Sequence, residues 1–309
     1  MTYDLPRMKL GLLFGLCWAT CVTGTCALAQ TETHLDGGLV ASAAVQLAQI
    51  PNFEAKIRQR VFLFDQELIG SGIYRQRTAN GLRMLRLEIR LQGGGGMTSL
   101  QQVSDGRTLW IRQDTGAETR LSYVNLRTLQ NALNASAPGS SPPQIVQLQG
   151  LVIGGLPQLI DELNQHFEFG EPVETTLGEL PVWVLMGSWK SAALKQLYPQ
   201  GIPAAEHWPP QMPERVSITL GRDQQLPLFP YRVIYSRFER TLKGELTDKL
   251  APMAAIEFFE VRPRPDLDAR HFSYQPHDQE VIDATPLFLN RLARKTAPNA
   301  DAAAAASTK

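Results

Sequence analysis

Between Phe53 and Arg112 the chain alternates apolar and polar positions with a period of two. Phe53, Ala55, Ile57, Gln59, Val61 and Leu63 fall on one phase, and Glu54, Lys56, Arg58 and Arg60 on the other. Leu85, Leu87, Ile89 and Leu91 alternate in the same way with Arg86, Glu88 and Arg90. Successive side chains of a strand point to opposite faces, so this pattern predicts neighbouring antiparallel strands with one buried and one wet face. Asp105-Gly106 lies between the apolar arms Val103-Ser104 and Thr108-Leu109-Trp110 and predicts a tight type I′ hairpin. The run Gly93 to Gly96 resembles a phosphate loop only superficially. No Lys-Ser/Thr pair follows it and no helix starts there, so it is read as a hairpin tip.

Helical spacing is found elsewhere. Leu39, Val40, Ala43, Ala44 and Leu47 recur at helical intervals before Pro51, which ends the segment. A second helix is predicted over Asn125 to Asn134, followed by a Ser-, Gly- and Pro-rich loop from Ala135 to Pro143. Pro157 suits the first turn of a third helix whose buried stripe is Leu156, Leu159, Ile160 and Leu163. Strands resume at His166–Phe169, Pro172–Leu177 and Val182–Trp189, followed by a short helix from Ser191 to Tyr198. Val216–Leu220, Phe229–Phe238 and Ala255–Val261 are further strands, and Thr285-Pro286 opens a last helix. The pattern yields roughly ten to twelve strands and four or five helices without a βαβ rhythm. The fold class is therefore α+β: a single domain over 30–296, built on a curved antiparallel sheet that forms an open or half barrel with helices in its concave face.

The termini change the compartment. Arg7 and Lys9 precede an apolar run from Leu10 to Trp18, and Ala27-Leu28-Ala29 supplies small residues before Gln30. This is the pattern of a secretory signal over 1–29, cleaved after Ala29. The run is too short for a stable bilayer anchor. All 3 cysteines, Cys17, Cys21 and Cys26, lie in that segment, so the mature chain has neither a disulfide nor a thiolate site. The 30 basic and 30 acidic residues balance, which argues against nucleic acid as a partner. Residues 297–309 are Ala-rich without an apolar stripe and are expected to be a disordered tail.

Catalytic constellations are sparse. The 5 histidines include no H-x-x-x-H or H-E-x-x-H pair. His271 and His277 would need acidic help to hold a metal, and Asp266 with Asp268 reads as a solvated polar turn. No G-x-S-x-G elbow is present. The chain is accordingly expected to be no enzyme and to use no cofactor or metal.

Val103–Trp110, VSDGRTLW, resembles the hairpin of the LolA-like periplasmic lipoprotein carriers. Gly70-Ser71-Gly72-Ile73-Tyr74-Arg75-Gln76-Arg77 resembles that family's G-x-G strand, and Phe272-Ser273-Tyr274-Gln275-Pro276 with Val281-Ile282-Asp283 its C-terminal motif. Thr78 and His277 replace prolines of the pattern, and the segment from Leu126 to Met212 is longer than in the carriers. The resemblance implies a periplasmic protein that binds a lipoprotein acyl chain or a lipid in the concave face. It also implies that Arg77, near the cleft mouth, locks the covering helices through backbone carbonyls. Ile57, Val61, Leu87, Ile89 and Trp110 are the expected wall of that cleft, with Trp110 facing inward. The same fold in the related sigma-factor regulators implies an alternative: a module with a filled interior whose partner is an envelope protein.

Overall fold

The computed structural model describes residues 38–63, 66–93, 96–135, 148–209, 211–241 and 246–296. The signal segment, most of the loop after Asn134 and the Ala-rich tail lie outside the described residues. The first helix, α1 (Gly38–Gln49), buries Val40, Ala43 and Leu47. Six strands follow: β1 (Asn52–Leu63), β2 (Gln66–Ala79), β3 (Leu82–Gly93), β4 (Gly96–Ser104), β5 (Thr108–Asp114) and β6 (Thr119–Asn125). Each pairs antiparallel with the next. The β2–β3 turn is Asn80-Gly81, with φ of 53° and 73°, the two left-handed residues that a type I′ turn needs. The β4–β5 turn is displaced from the expected one. Gly106 has φ 87° and Asp105 does not have a positive φ, so the central pair is Gly106-Arg107, with glycine first. The Asp105 carboxylate instead caps the turn, accepting from the Arg107 and Thr108 amides at 2.8 and 2.7 Å.

The second half contains α2 (Leu126–Ala135), α3 (Leu148–His166), β7 (Phe167–Phe169), β8 (Val173–Leu177), β9 (Leu180–Trp189), α4 (Ser191–Leu197), β10 (Arg215–Gly221), β11 (Pro230–Arg240), β12 (Leu246–Pro263), β13 (Val281–Asp283) and α5 (Thr285–Thr296). The strands form one sheet in the order β13-β6-β5-β4-β3-β2-β1-β12-β11-β10-β9-β7, with β8 also on β9. The sheet is open, since β13 at one end and β7 at the other do not pair. One junction departs from the expected antiparallel pattern: β13 runs parallel to β6, Val281 opposite Leu121. β12 is longer than the apolar run Ala255–Val261 suggests, because it spans both β11 and β1. A bulge near Glu260, which has φ 49°, lets it bend between them.

Helices α1 and α3 cover one face, called here the inner face. Phe53, Ala55 and Ile57 of β1, Tyr74 of β2, Leu85, Leu87 and Ile89 of β3, and Phe258 of β12 bury their side chains there. Phe53, Tyr74, Phe229 and Phe258 meet edge-on or tilted, with centroids 5.5 to 6.0 Å apart. The outer face carries the alternate residues. Arg75 bonds Glu54 at 2.5 Å and Arg264 reaches the same carboxylate at 2.9 Å. A strap over residues 264–280 joins β12 to β13 along this outer side and buries Leu267 and Phe272.

Candidate ligand-binding face

The registers fix which side chains share the inner face. Across β1 to β4, one row reads Ile57, Gly72, Ile89, Leu100. The next reads Ala55, Tyr74, Leu87, Gln102, and the next Phe53, Gln76, Leu85, Ser104. Ile57, Leu87 and Ile89 are 0, 0 and 1% exposed, and Val61 is half-buried against the same cluster. Four of the expected wall residues therefore share one face. Gly72 is obligatory in that wall, because a Cβ there would lie 1.7 Å from the Glu88 carbonyl oxygen.

Trp110 is on the other face. Leu109, its neighbour, takes the inner position, while Trp110 stacks on Tyr274 of the strap at 5.5 Å and meets Tyr123 at 5.7 Å. Both residues are apolar, so alternation alone does not choose between them. Partner strands do: Trp110 is opposite Val103 and Tyr123, which are in phase with outer-facing Arg86. Arg77 is also outer, and its Nη1 donates to the Leu267 carbonyl at 2.9 Å. It ties the strap rather than a helix.

The arginine that ties a helix is Arg83. It flanks the Asn80-Gly81 turn on the opposite phase, and its Nη1 donates to the Gly154 carbonyl of α3 at 2.6 Å. α3 is broken at this point. Gly155 adopts φ 74°, ψ −177°, a conformation reserved for glycine, and Pro157 starts the second helical stretch. Leu156, Ile160 and Leu163 are buried and Leu159 is half-buried, the stripe expected of that stretch. The Leu156 amide donates to the Tyr74 hydroxyl at 3.3 Å, and that hydroxyl donates to Gln76 Oε1 at 3.0 Å. Complete burial pushes the Tyr74 hydroxyl pKa far up, so it stays a neutral donor.

Several polar atoms beneath α3 are unpaired. Gln76 and Gln102 are both fully buried; among the described residues Gln76 Nε2 and both amide atoms of Gln102 have no hydrogen-bond partner. Native interiors leave few such groups. Polar residues on the apolar phase of β2 and β4 are the sequence signal that would have located this cluster. The strap's Asp266 and Asp268 lie against Arg264 and Arg270, whose guanidinium hydrogen bonds hold both carboxyls down to about 2. Among the described residues no group of acidic, His or Cys side chains could hold a metal. Among the described residues, too, no helix is long and apolar enough to cross a membrane.

No family model matches the sequence, and no curated protein does. Solved structures match at low identity. A LolA superfamily protein from Nitrosomonas europaea shares 12% identity over 76% of this chain and 97% of its own, with a TM-score of 0.24. A DUF1329 family protein from Desulfovibrio piger shares 11% identity over 76% of this chain and 96% of its own, with a TM-score of 0.31. MucB shares 14% identity over 79% of this chain, with a TM-score of 0.37, and the chain spans 66% of its length.

Proposed function

We propose that this chain is an exported protein of the cell envelope that reversibly binds an apolar ligand, a lipoprotein acyl chain or a lipid, between the inner sheet face and helices α1 and α3, without catalysis. The observation that carries this reading is the way the wall is covered. Ile57, Leu87 and Ile89 are sealed by helices, and the break in α3 is tied to the sheet through Arg83 and Tyr74 over side chains with unpaired amides. Hydrocarbon that replaced the helix stripe would rebury the same wall, at about 0.8 kcal/mol per CH₂ taken from water. The wall stays buried in this exchange, and the burial given up is that of the helix stripe Leu156, Ile160 and Leu163. Ile57, Val61, Leu87 and Ile89 form the wall in this reading, and Arg83 takes the tying role that the resemblance gives to Arg77. In this reading cleavage after Ala27-Leu28-Ala29 leaves a mature chain that starts at Gln30 outside the cytoplasm, which N-terminal sequencing of the envelope fraction tests.

Native mass spectrometry of protein purified from its own envelope, with displacement of a fluorescent fatty acid, tests the ligand. A co-purifying lipid and saturable displacement are expected. A second reading is favoured by the complete burial of Ile57, Leu87 and Ile89: the interior stays filled by its own side chains and the protein acts as an interaction module for an envelope protein. Absence of any acyl-probe binding would leave that reading in place.

A further inference from the structure

We infer that the acyl ligand carries a carboxylate, held on the inner face by Arg83 and Gln76 beneath Gly155. This rests on the acyl-binding reading above and names the head group of that ligand. Arg83 and Gln76 converge there, since a Cβ on Gly155 would lie 2.8 Å from Arg83 Cδ and 2.9 Å from Gln76 Oε1. Both present donors without acceptors. Among the described residues Arg83 Nε and Gln76 Nε2 are buried and unpartnered, and Gln102 on β4 leaves both its amide nitrogen and its oxygen unpartnered. The Gln76 side chain is wholly buried and its acceptor oxygen is already taken by Tyr74, so what it lacks is an acceptor.

The charge has the same sense. Arg83 makes no salt bridge among the described residues, whereas Arg75 and Arg86 on the outer face each have a carboxylate within 2.6 Å. Glu88 of β3 is opposite Ile73 and Gln101, on the outer phase, so β3 directs no acid toward Arg83. A guanidinium whose Nε has no acceptor, close to a buried carboxamide whose Nε2 also has none, suits an anionic oxygen pair better than an ester carbonyl. The surrounding Phe53, Leu85 and Leu87 suit the hydrocarbon that follows it.

Titration of the full mature chain with laurate and with methyl laurate tests the assignment. Laurate is expected to bind about tenfold more tightly, the worth of one charge-assisted bond. Arg83→Met also releases the tie to α3 and shifts both affinities, so the readout is their ratio, and the preference for laurate over the ester is expected to fall to about one. Gln76→Leu keeps the test open should Arg83→Met fail to fold, and is expected to lower the laurate-to-ester affinity ratio about threefold. Equal binding of the two probes by the unaltered protein, or a preference that survives both substitutions, would overturn the carboxylate assignment and leave acyl binding intact. Binding of neither probe would overturn the acyl-binding reading and this inference with it.

Discussion

The two faces of β3 are both covered, but the covers are fastened differently. On the outer side, the strap is bonded atom for atom. Arg77 reaches the Leu267 carbonyl, Arg86 reaches the His271 carbonyl at 3.1 Å, and Arg264 holds Glu54 and Asp266 together. On the inner side, helix α3 lies over Leu85, Leu87 and Ile89 with amides of Gln76 and Gln102 unpaired beneath it. A cover whose polar groups are satisfied gains nothing by moving. One that leaves donors unsatisfied is offset by any ligand able to pair them. Under the proposed function, the strap is the fixed cover and α3 the one that exchanges.

The harshest way to break this comparison is Leu87→Glu. A charge placed in the sealed wall without a partner should cost about 4 kcal/mol or more, read as a fall in the urea midpoint. A variant that melts like the parent but loses acyl binding would show that the wall opens to water more freely than the packing indicates. Glu214→Gln examines the opposite case, a buried polar group with all its partners. Glu214 is 3% exposed and receives Arg240 at 2.9 Å and the Phe238 amide at 2.7 Å. Its loss should cost about 3 kcal/mol by removing the charge that faces Arg240 and Arg237, leaving Arg240 with the Ala205 carbonyl. If instead its effect is small, pairing is not what distinguishes the two covers.

Gly155→Ala is expected to destabilise by about 2 kcal/mol, because alanine tolerates neither the φ of that break nor the approach of Arg83 and Gln76. Hydrogen exchange should quicken in α3 and leave the strap unchanged. Arg77→Ala should do the reverse at about 1 kcal/mol, loosening residues 264–280 with α3 still protected. The smallest effect is one of pH. The folded carboxyls of Asp266 and Asp268 titrate near 2, below their ordinary value, so what they contribute is present above about pH 4 and lost as the pH falls toward 2. Asp266 is exposed and Asp268 half-exposed, so only local exchange in the strap is expected to report it, ahead of global acid unfolding.

Much of the fold was legible in the sequence. The alternation at Phe53–Leu63 and Leu85–Leu91, the stripe of α1 and the Pro157 start each depend on local spacing, and each appears as expected. Parity was the weak point. Trp110 and Leu109 are both apolar, and Arg77 and Arg83 flank one hairpin turn on opposite phases; a single residue of register decides which faces inward. The Asn80-Gly81 turn, a strong local signal, fixes that register for β2 and β3. The buried glutamines interrupt an apolar pattern without ending it, and what covers them is α3, a segment remote in sequence.

The seam between β1 and β12 has a consequence for how the chain reaches this form. Lys56 and Glu260, bonded across it, stand 204 residues apart. Strands β1 to β6 can zip together as a meander of near neighbours, and β9 to β12 as another. The loop that brings Ile57 opposite Phe258 closes only when nearly the whole chain is available. Contacts of such separation slow folding, because their entropy is lost before their enthalpy is gained. The first half must therefore wait, with one edge of β1 open, until β12 arrives. Replacing this seam with a short engineered linkage should speed folding more than any change within either meander.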